Sequence, residues 1–167
     1  MPNSLVIANT SPLLYLHQVG YLDLLKDLYK NLIVPSSVVE ELNVGRQQGV
    51  DVPDITLIKW IQIKSVSSPS LIPIIVDLGK GEAEVIAIGL ENSGSLLIID
   101  DQLARRIANL FELKYTGTLG VLVKAKQLGY FSSVLPVIQS LQSKGMWISQ
   151  KVMTDILQLA GESPTLF

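Results

Sequence analysis

Cysteine is absent from the 167-residue chain. That excludes disulfides and thiolate metal sites, fits a reducing compartment, and leads us to expect a cytoplasmic protein. Histidine occurs once, as His17, so a Ser-His-Asp mechanism would require that one imidazole to meet a serine. His17 reads as an ordinary helix residue. Aromatics make up 6% of the chain, and Trp60, Trp147 and the tyrosines are too scattered to form rows on which bases would stack. Charge of one sign is not in excess: 13 basic against 15 acidic residues leave a net charge of -2. This argues against passive coating of nucleic acid, but not against an enzyme that handles it locally. No apolar run approaches the roughly 18 residues of a membrane span, and Met1-Pro2-Asn3-Ser4 does not read as a signal peptide.

Apolar residues are plentiful, at 48%, enough for one sizeable core in a single domain. The most informative stretch is Leu96 to Arg106, LLIIDDQLARR. Its four apolar residues follow a turn-type cluster, Asn92-Ser93-Gly94-Ser95, and suit a strand covered on both faces. The run stops at Asp100 and Asp101, and helical spacing follows through Leu103, Ile107 and Leu110. Leu5 to Ala8 is a second such strand, ending at Asn9. There Ser11 is placed to cap a helix that has Pro12 at its first position, broken near Gly20. Leu32-Ile33-Val34 is a short strand closed by Pro35. Ser37-Val38-Val39-Glu40 matches a capping box, which gives Glu40 a structural role and leaves Glu41 without one.

Leu57 to Val66 alternates in part and reads as a peripheral strand, followed by a surface loop at Ser67-Ser68-Pro69-Ser70. Gly79 to Glu84 opens a helix whose apolar side carries Ala83, Ile86, Ala87 and Leu90. A short segment at Lys114-Tyr115, a helix from Gly117 through Leu128, and two helical patterns over 134–141 and 150–160 complete the chain. The alternation of strands and helices predicts an α/β fold with a mainly parallel sheet.

In such a sheet, ligands bind beyond the carboxyl ends of the strands. The residues that fall there or at helix starts are Asn9, Glu41, Glu82 or Glu84, and Asp100 with Asp101. Carboxylates gathered in one cleft repel unless a cation lies between them. Oxygen donors without His or Cys favour Mg²⁺ or Mn²⁺, a setting that suits phosphoryl transfer by an activated water. Each acid also has a structural reading as a cap or a partner of the helix dipole, and one of Asp100 and Asp101 is expected to cap the next helix. Gly79-x-Gly81 departs from the dinucleotide fingerprint at Glu84, and Lys80-Gly81 from the phosphate loop. Arg105, Arg106, Lys124 and Lys126 are candidate phosphate contacts, or simply solvated cations.

Taken in order, Val6 to Leu13, Val34-Pro35 through Leu42, Leu78 to Glu84, Leu97 through Arg105, and Gly117 to Leu122 resemble the PIN-domain family, in its branch of prokaryotic toxin-type nucleases. The resemblance implies a three-layer α/β/α sandwich, with the core at about 5–129 and a C-terminal helical extension at about 130–167. It also implies a Mg²⁺- or Mn²⁺-dependent endoribonuclease acting on RNA, in the role of the toxin of a toxin-antitoxin pair. By position, Asn9 stands where the family has its first aspartate, Glu41 matches the glutamate of the second helix, and Glu82 the acid after the central loop, with Glu84 as the substitute. Asp100 and Asp101 match the acids after the fourth strand, and the sequence leaves open which one touches metal. The implied catalytic set is Asn9, Glu41, Glu82, Asp100 and Asp101, with the four acids as metal ligands. Thr10, Ser11 and Arg105 would orient water or substrate. A small antitoxin and a homodimer are implied in the same way, with no membrane association. Asn9 is the departure, since an amide oxygen ligates Mg²⁺ without bringing a charge. It motivates the alternative of a PIN-like binding module whose chemistry has lapsed and which acts through a protein partner. A receiver-type phospho-acceptor domain ranks last, because it needs an acid pair where this chain has Ala8-Asn9.

Overall fold

A computed structural model describes residues 4–67 and 77–163; most of the loop expected at Ser67 to Ser70 lies outside them. Five strands, β1 (Val6–Ala8), β2 (Leu32–Pro35), β3 (Ile61–Lys64), β4 (Leu96–Ile98) and β5 (Lys114–Thr116), form one sheet in the order β3-β2-β1-β4-β5. All four pairings are parallel, and Val6, Ile7 and Ala8 stand opposite Leu96, Leu97 and Ile98. The chain steps from β1 outward to β3, then returns to place β4 on the other side of β1. The order therefore reverses between β1 and β4, where parallel sheets open a crevice at their carboxyl edge.

Eight α-helices among the described residues cover the sheet: α1 (Thr10–Gln18), α2 (Leu24–Tyr29), α3 (Ser36–Gln47), α4 (Lys80–Glu91), α5 (Gln102–Leu110), α6 (Thr118–Gln127), α7 (Leu135–Ser143) and α8 (Gln150–Leu159). Alternation along each strand sorts the core into two layers. Val6, Ala8, Leu32, Val34 and Ile98 pack with α1, α2, α3, α6 and the C-terminal helices. Ile7, Ile33, Leu97 and Ile99 pack with Val85, Ile86 and Ile88 of α4 and Ala104 and Ala108 of α5. The three inner strands, β2, β1 and β4, are apolar at every position, as burial on both faces requires. The architecture is the expected three-layer α/β/α sandwich.

Three local expectations are corrected. The first helix starts at Thr10, not after Ser11, with Asn9 at its N-cap position. Pro12 is tolerated there because the first turn has no intrahelical partner for its amides. The capping box at Ser37 and Glu40 does not form: α3 begins at Ser36 with Pro35 as its N-cap, so Ser37 already lies inside the helix, and Glu40 is exposed beside Lys80, 3.7 Å away. The segment from Leu57 divides into a single 3-10 turn at Ile55–Leu57, held by Asp54 accepting from the Thr56 amide at 3.1 Å, and the edge strand β3.

Candidate active site

Asn9 directly follows β1, and its amide donates to the Ile98 carbonyl of β4 at 3.0 Å, so it is fixed at the crevice between the two strands. An asparagine at an N-cap position ordinarily turns its side-chain oxygen onto the amides of its own helix. Asn9 does not do so. Its Oδ1 is buried without a hydrogen-bond partner, a state that costs roughly 1–3 kcal/mol when nothing compensates it. That oxygen faces Gly81 in the first turn of α4, where an added Cβ would lie 3.1 Å from it and 2.7 and 3.0 Å from the two Glu41 oxygens. Asn9 and Glu41 thus border the same small space, and only a glycine leaves it open.

Glu41 is held from two sides. The Gly81 amide donates to Oε1 at 2.9 Å, and the Thr10 hydroxyl donates to Oε2. The next residue reaches the other acid of the crevice: the Ser11 hydroxyl donates to Asp100 Oδ2 at 3.2 Å. Asp100 also accepts from the Thr118 amide at 2.8 Å and the Thr118 hydroxyl at 2.7 Å, at the start of α6. Consecutive hydroxyls of α1 therefore tie Glu41 and Asp100 to one rim, although the two acids come from α3 and from the end of β4. Each carboxylate oxygen can accept more than one hydrogen bond, so both acids keep acceptor capacity.

The other expected residues are placed differently. Asp101 is the N-cap of α5, accepting from the Ala104 amide at 2.9 Å, and it is exposed. Glu82 folds back over Gly79 at the start of its own helix. Glu84 points to another side of α4 and is buried. Its Oε2 accepts from the Ser37 hydroxyl at 2.6 Å and the Ser37 amide at 3.3 Å, which satisfies the start of α3 in place of the capping box. Arg105 donates from Nε to the Ile99 carbonyl at 3.0 Å and lies 5.3 Å above the Tyr115 ring. Of the other cations, Lys126 is engaged by Glu162 at 2.9 Å, and Lys124 lies over Tyr29 at 4.3 Å.

Two contributors are not singled out by the sequence. Gly81 reads there only as a departure from the phosphate-loop and dinucleotide patterns, and Thr118 only as part of the segment Gly117 to Leu122. Thr118 carries a weak signal of its own, a hydroxyl residue at a helix start after glycine.

A family model described as a PIN domain matches residues 5–162. The chain is a PIN-domain protein. Among curated proteins no match is found. PIN domains form a nuclease superfamily and typically use divalent metals. The donors of this PIN domain fit such an ion in kind: a buried amide oxygen without a partner and two carboxylates, all hard oxygen ligands. Among the described residues no three His, Cys, Asp or Glu side chains cluster as a metal site. The set around Asn9 is therefore poorer in charge than the four acids expected. No helix among the described residues is long and apolar enough to cross a membrane.

Proposed function

We propose that this PIN domain is a Mg²⁺- or Mn²⁺-dependent ribonuclease. The observation that carries the reading is the unpartnered, buried Asn9 Oδ1 facing the space bordered by Glu41, with Asp100 tied to the same rim through Ser11. Asn9, Glu41 and Asp100 would hold the ion. When bound, a divalent ion lowers the pKa of its water and offsets charge on a phosphodiester. Thr10 and Ser11 donate to the two carboxylates and keep their oxygens turned toward the crevice. The Gly81 and Thr118 amides, each at a helix start, hold the same carboxylates by backbone, so little reorganises when substrate arrives. Arg105, anchored by Ile99 and Tyr115, presents its remaining donors as a phosphate contact. Cleavage of single-stranded RNA in Mn²⁺, abolished by EDTA and restored by added Mn²⁺, tests the reading. Cleavage unaffected by EDTA would overturn it.

The toxin role, the small antitoxin and the homodimer belong to the same proposal. Arrest of growth on induction, relieved by a short adjacent reading frame, tests them, and light scattering tests the dimer. The second reading, a binding module with lapsed chemistry, is favoured by Asn9 itself, which supplies an oxygen but no charge. It expects no Mn²⁺ uptake at millimolar concentration and cleavage restored by Asn9→Asp.

A further inference from the structure

We propose that the cavity beside Asp100 is a nucleobase subsite, in which Trp147 stacks on one unpaired base of an RNA strand whose backbone passes Arg105. The proposal rests on the ribonuclease reading and adds to it the residue that grips the substrate and the cavity that receives its base. The cavity measures about 580 Å³, within the range of small-ligand sites. Asp100, Arg105 and Tyr115 line it, as do Trp147, Ile148 and Val152 from the segment joining α7 to α8. One part of its lining is charged and belongs to the crevice of Glu41 and Asp100. Another part is apolar and aromatic.

Trp147 is 84% exposed, unusual for a side chain that proteins bury on average. Its neighbours explain how it is held there. Met146 and Ile148 both pack against the core, and the residue between them turns outward. Gly145, at φ +102°, ends α7 on one side. Ser149 caps α8 on the other, accepting from the Val152 amide at 3.1 Å. The indole is therefore presented on a segment pinned at both ends, which lowers the entropy lost on stacking.

Arg105 is also set in advance, by the Ile99 carbonyl and the Tyr115 ring, and it forms no ion pair among the described residues. A fixed guanidinium beside a carboxylate crevice, with an aromatic platform in the same cavity, matches a nucleotide: phosphate at the charged part, base at the apolar part. Stacking on a single indole needs a base that is free of a duplex, and it reads no sequence.

The test is quenching of tryptophan fluorescence in the full-length chain by short oligouridylate at low ionic strength, in EDTA and again in Ca²⁺. Duplex RNA and inorganic polyphosphate serve as comparison probes. We expect quenching by the single strand alone; the variants, which lack the reporting indole, are compared by anisotropy of a dye-labelled oligouridylate, with affinity reduced about tenfold in Trp147→Ala and mostly kept in Trp147→Phe. Because Trp147 is exposed, neither variant should unfold the protein. Equal affinity in Trp147→Ala, equal binding of polyphosphate, or no oligonucleotide binding in either medium overturns the subsite. Cleavage with an unchanged KM in Trp147→Ala overturns the subsite and leaves the nuclease reading standing. Trp147-dependent binding without cleavage in Mn²⁺ does the reverse.

Discussion

The backbone amide of Gly81 donates to Glu41 at 2.9 Å, from a position where a methyl group would lie 2.7 Å from the same carboxylate. This contact joins α4 to α3 and leaves unfilled the small space that Glu41 shares with the buried Asn9 oxygen. Alanine at position 81 would gain helix propensity of up to about 1 kcal/mol but displace the end of a flexible glutamate. Gly81→Ala is expected to keep its melting temperature within a few degrees of the parent while losing at least about tenfold in cleavage rate. Paired thermal melts and RNA cleavage assays check it, and equal activity would remove Glu41's position from the mechanism.

Asn9→Asp adds a negative charge at a buried position that borders the same space as Glu41. Without metal, repulsion should lower stability. With Mn²⁺, affinity should rise on the order of tenfold, because ligand charge tunes divalent binding, and the bound ion should then stabilise the variant more than the parent. Calorimetry and melting curves with and without Mn²⁺ would show the two effects crossing.

Asp100 and Asp101 are adjacent but differently engaged, and variants should separate them. Asp100→Asn should lose cleavage by about a hundredfold or more, in line with the loss of a group positioned to stabilise charge. Asp101→Asn keeps a competent N-cap and should change little, whereas Asp101→Ala should cost about 1 kcal/mol of stability. Denaturant unfolding alongside cleavage rates distinguishes the two roles.

Glu84 and Ser37 brace the helix that carries Glu41. Removing either partner leaves the other buried with an unmet bond, so Glu84→Ala and Ser37→Ala should each destabilise by about 1–3 kcal/mol. The double variant should lose less than the two losses added together. Additive losses in a double-mutant cycle would show that the contact contributes nothing.

Glu162 provides a pH test remote from the crevice. Burial opposes its charge, but the Ser133 hydroxyl, the Val134 amide, Lys126 and the Leu135 amide together hold its carboxyl down to about 2. A carboxyl depressed in the folded state contributes stability above its ordinary value of 4.5, and that contribution fades as pH falls toward about 2. Glu162→Gln should therefore be less stable than the parent at pH 7, by about 1–3 kcal/mol for the charge-assisted bonds lost. The gap should close progressively between pH 4.5 and 2.

Much of this protein was legible along the chain, because it depends on local rules. Unbroken apolar runs such as Leu96 to Ile99 called for a sheet covered on both faces, Gly20 marked the end of the first helix, and acids stood where helices begin. Which helix each acid serves was not legible. Asp101 caps its own helix, but Glu84 satisfies α3 from α4, Glu41 accepts from the start of α4, Asp100 from the start of α6, and Glu162 from the start of α7. A carboxylate and a helix start attract whatever their separation in sequence, so only packing selects the pair. The same holds for Trp147, which sequence shows as an isolated aromatic and the fold sets in one cavity with Asp100. Periodicity and turn chemistry determined the elements of this PIN domain. The close packing of α3 and α4 at the carboxyl edge of the sheet decided which oxygens share a space, since a hydrogen bond needs a few ångströms that no one-dimensional spacing can supply.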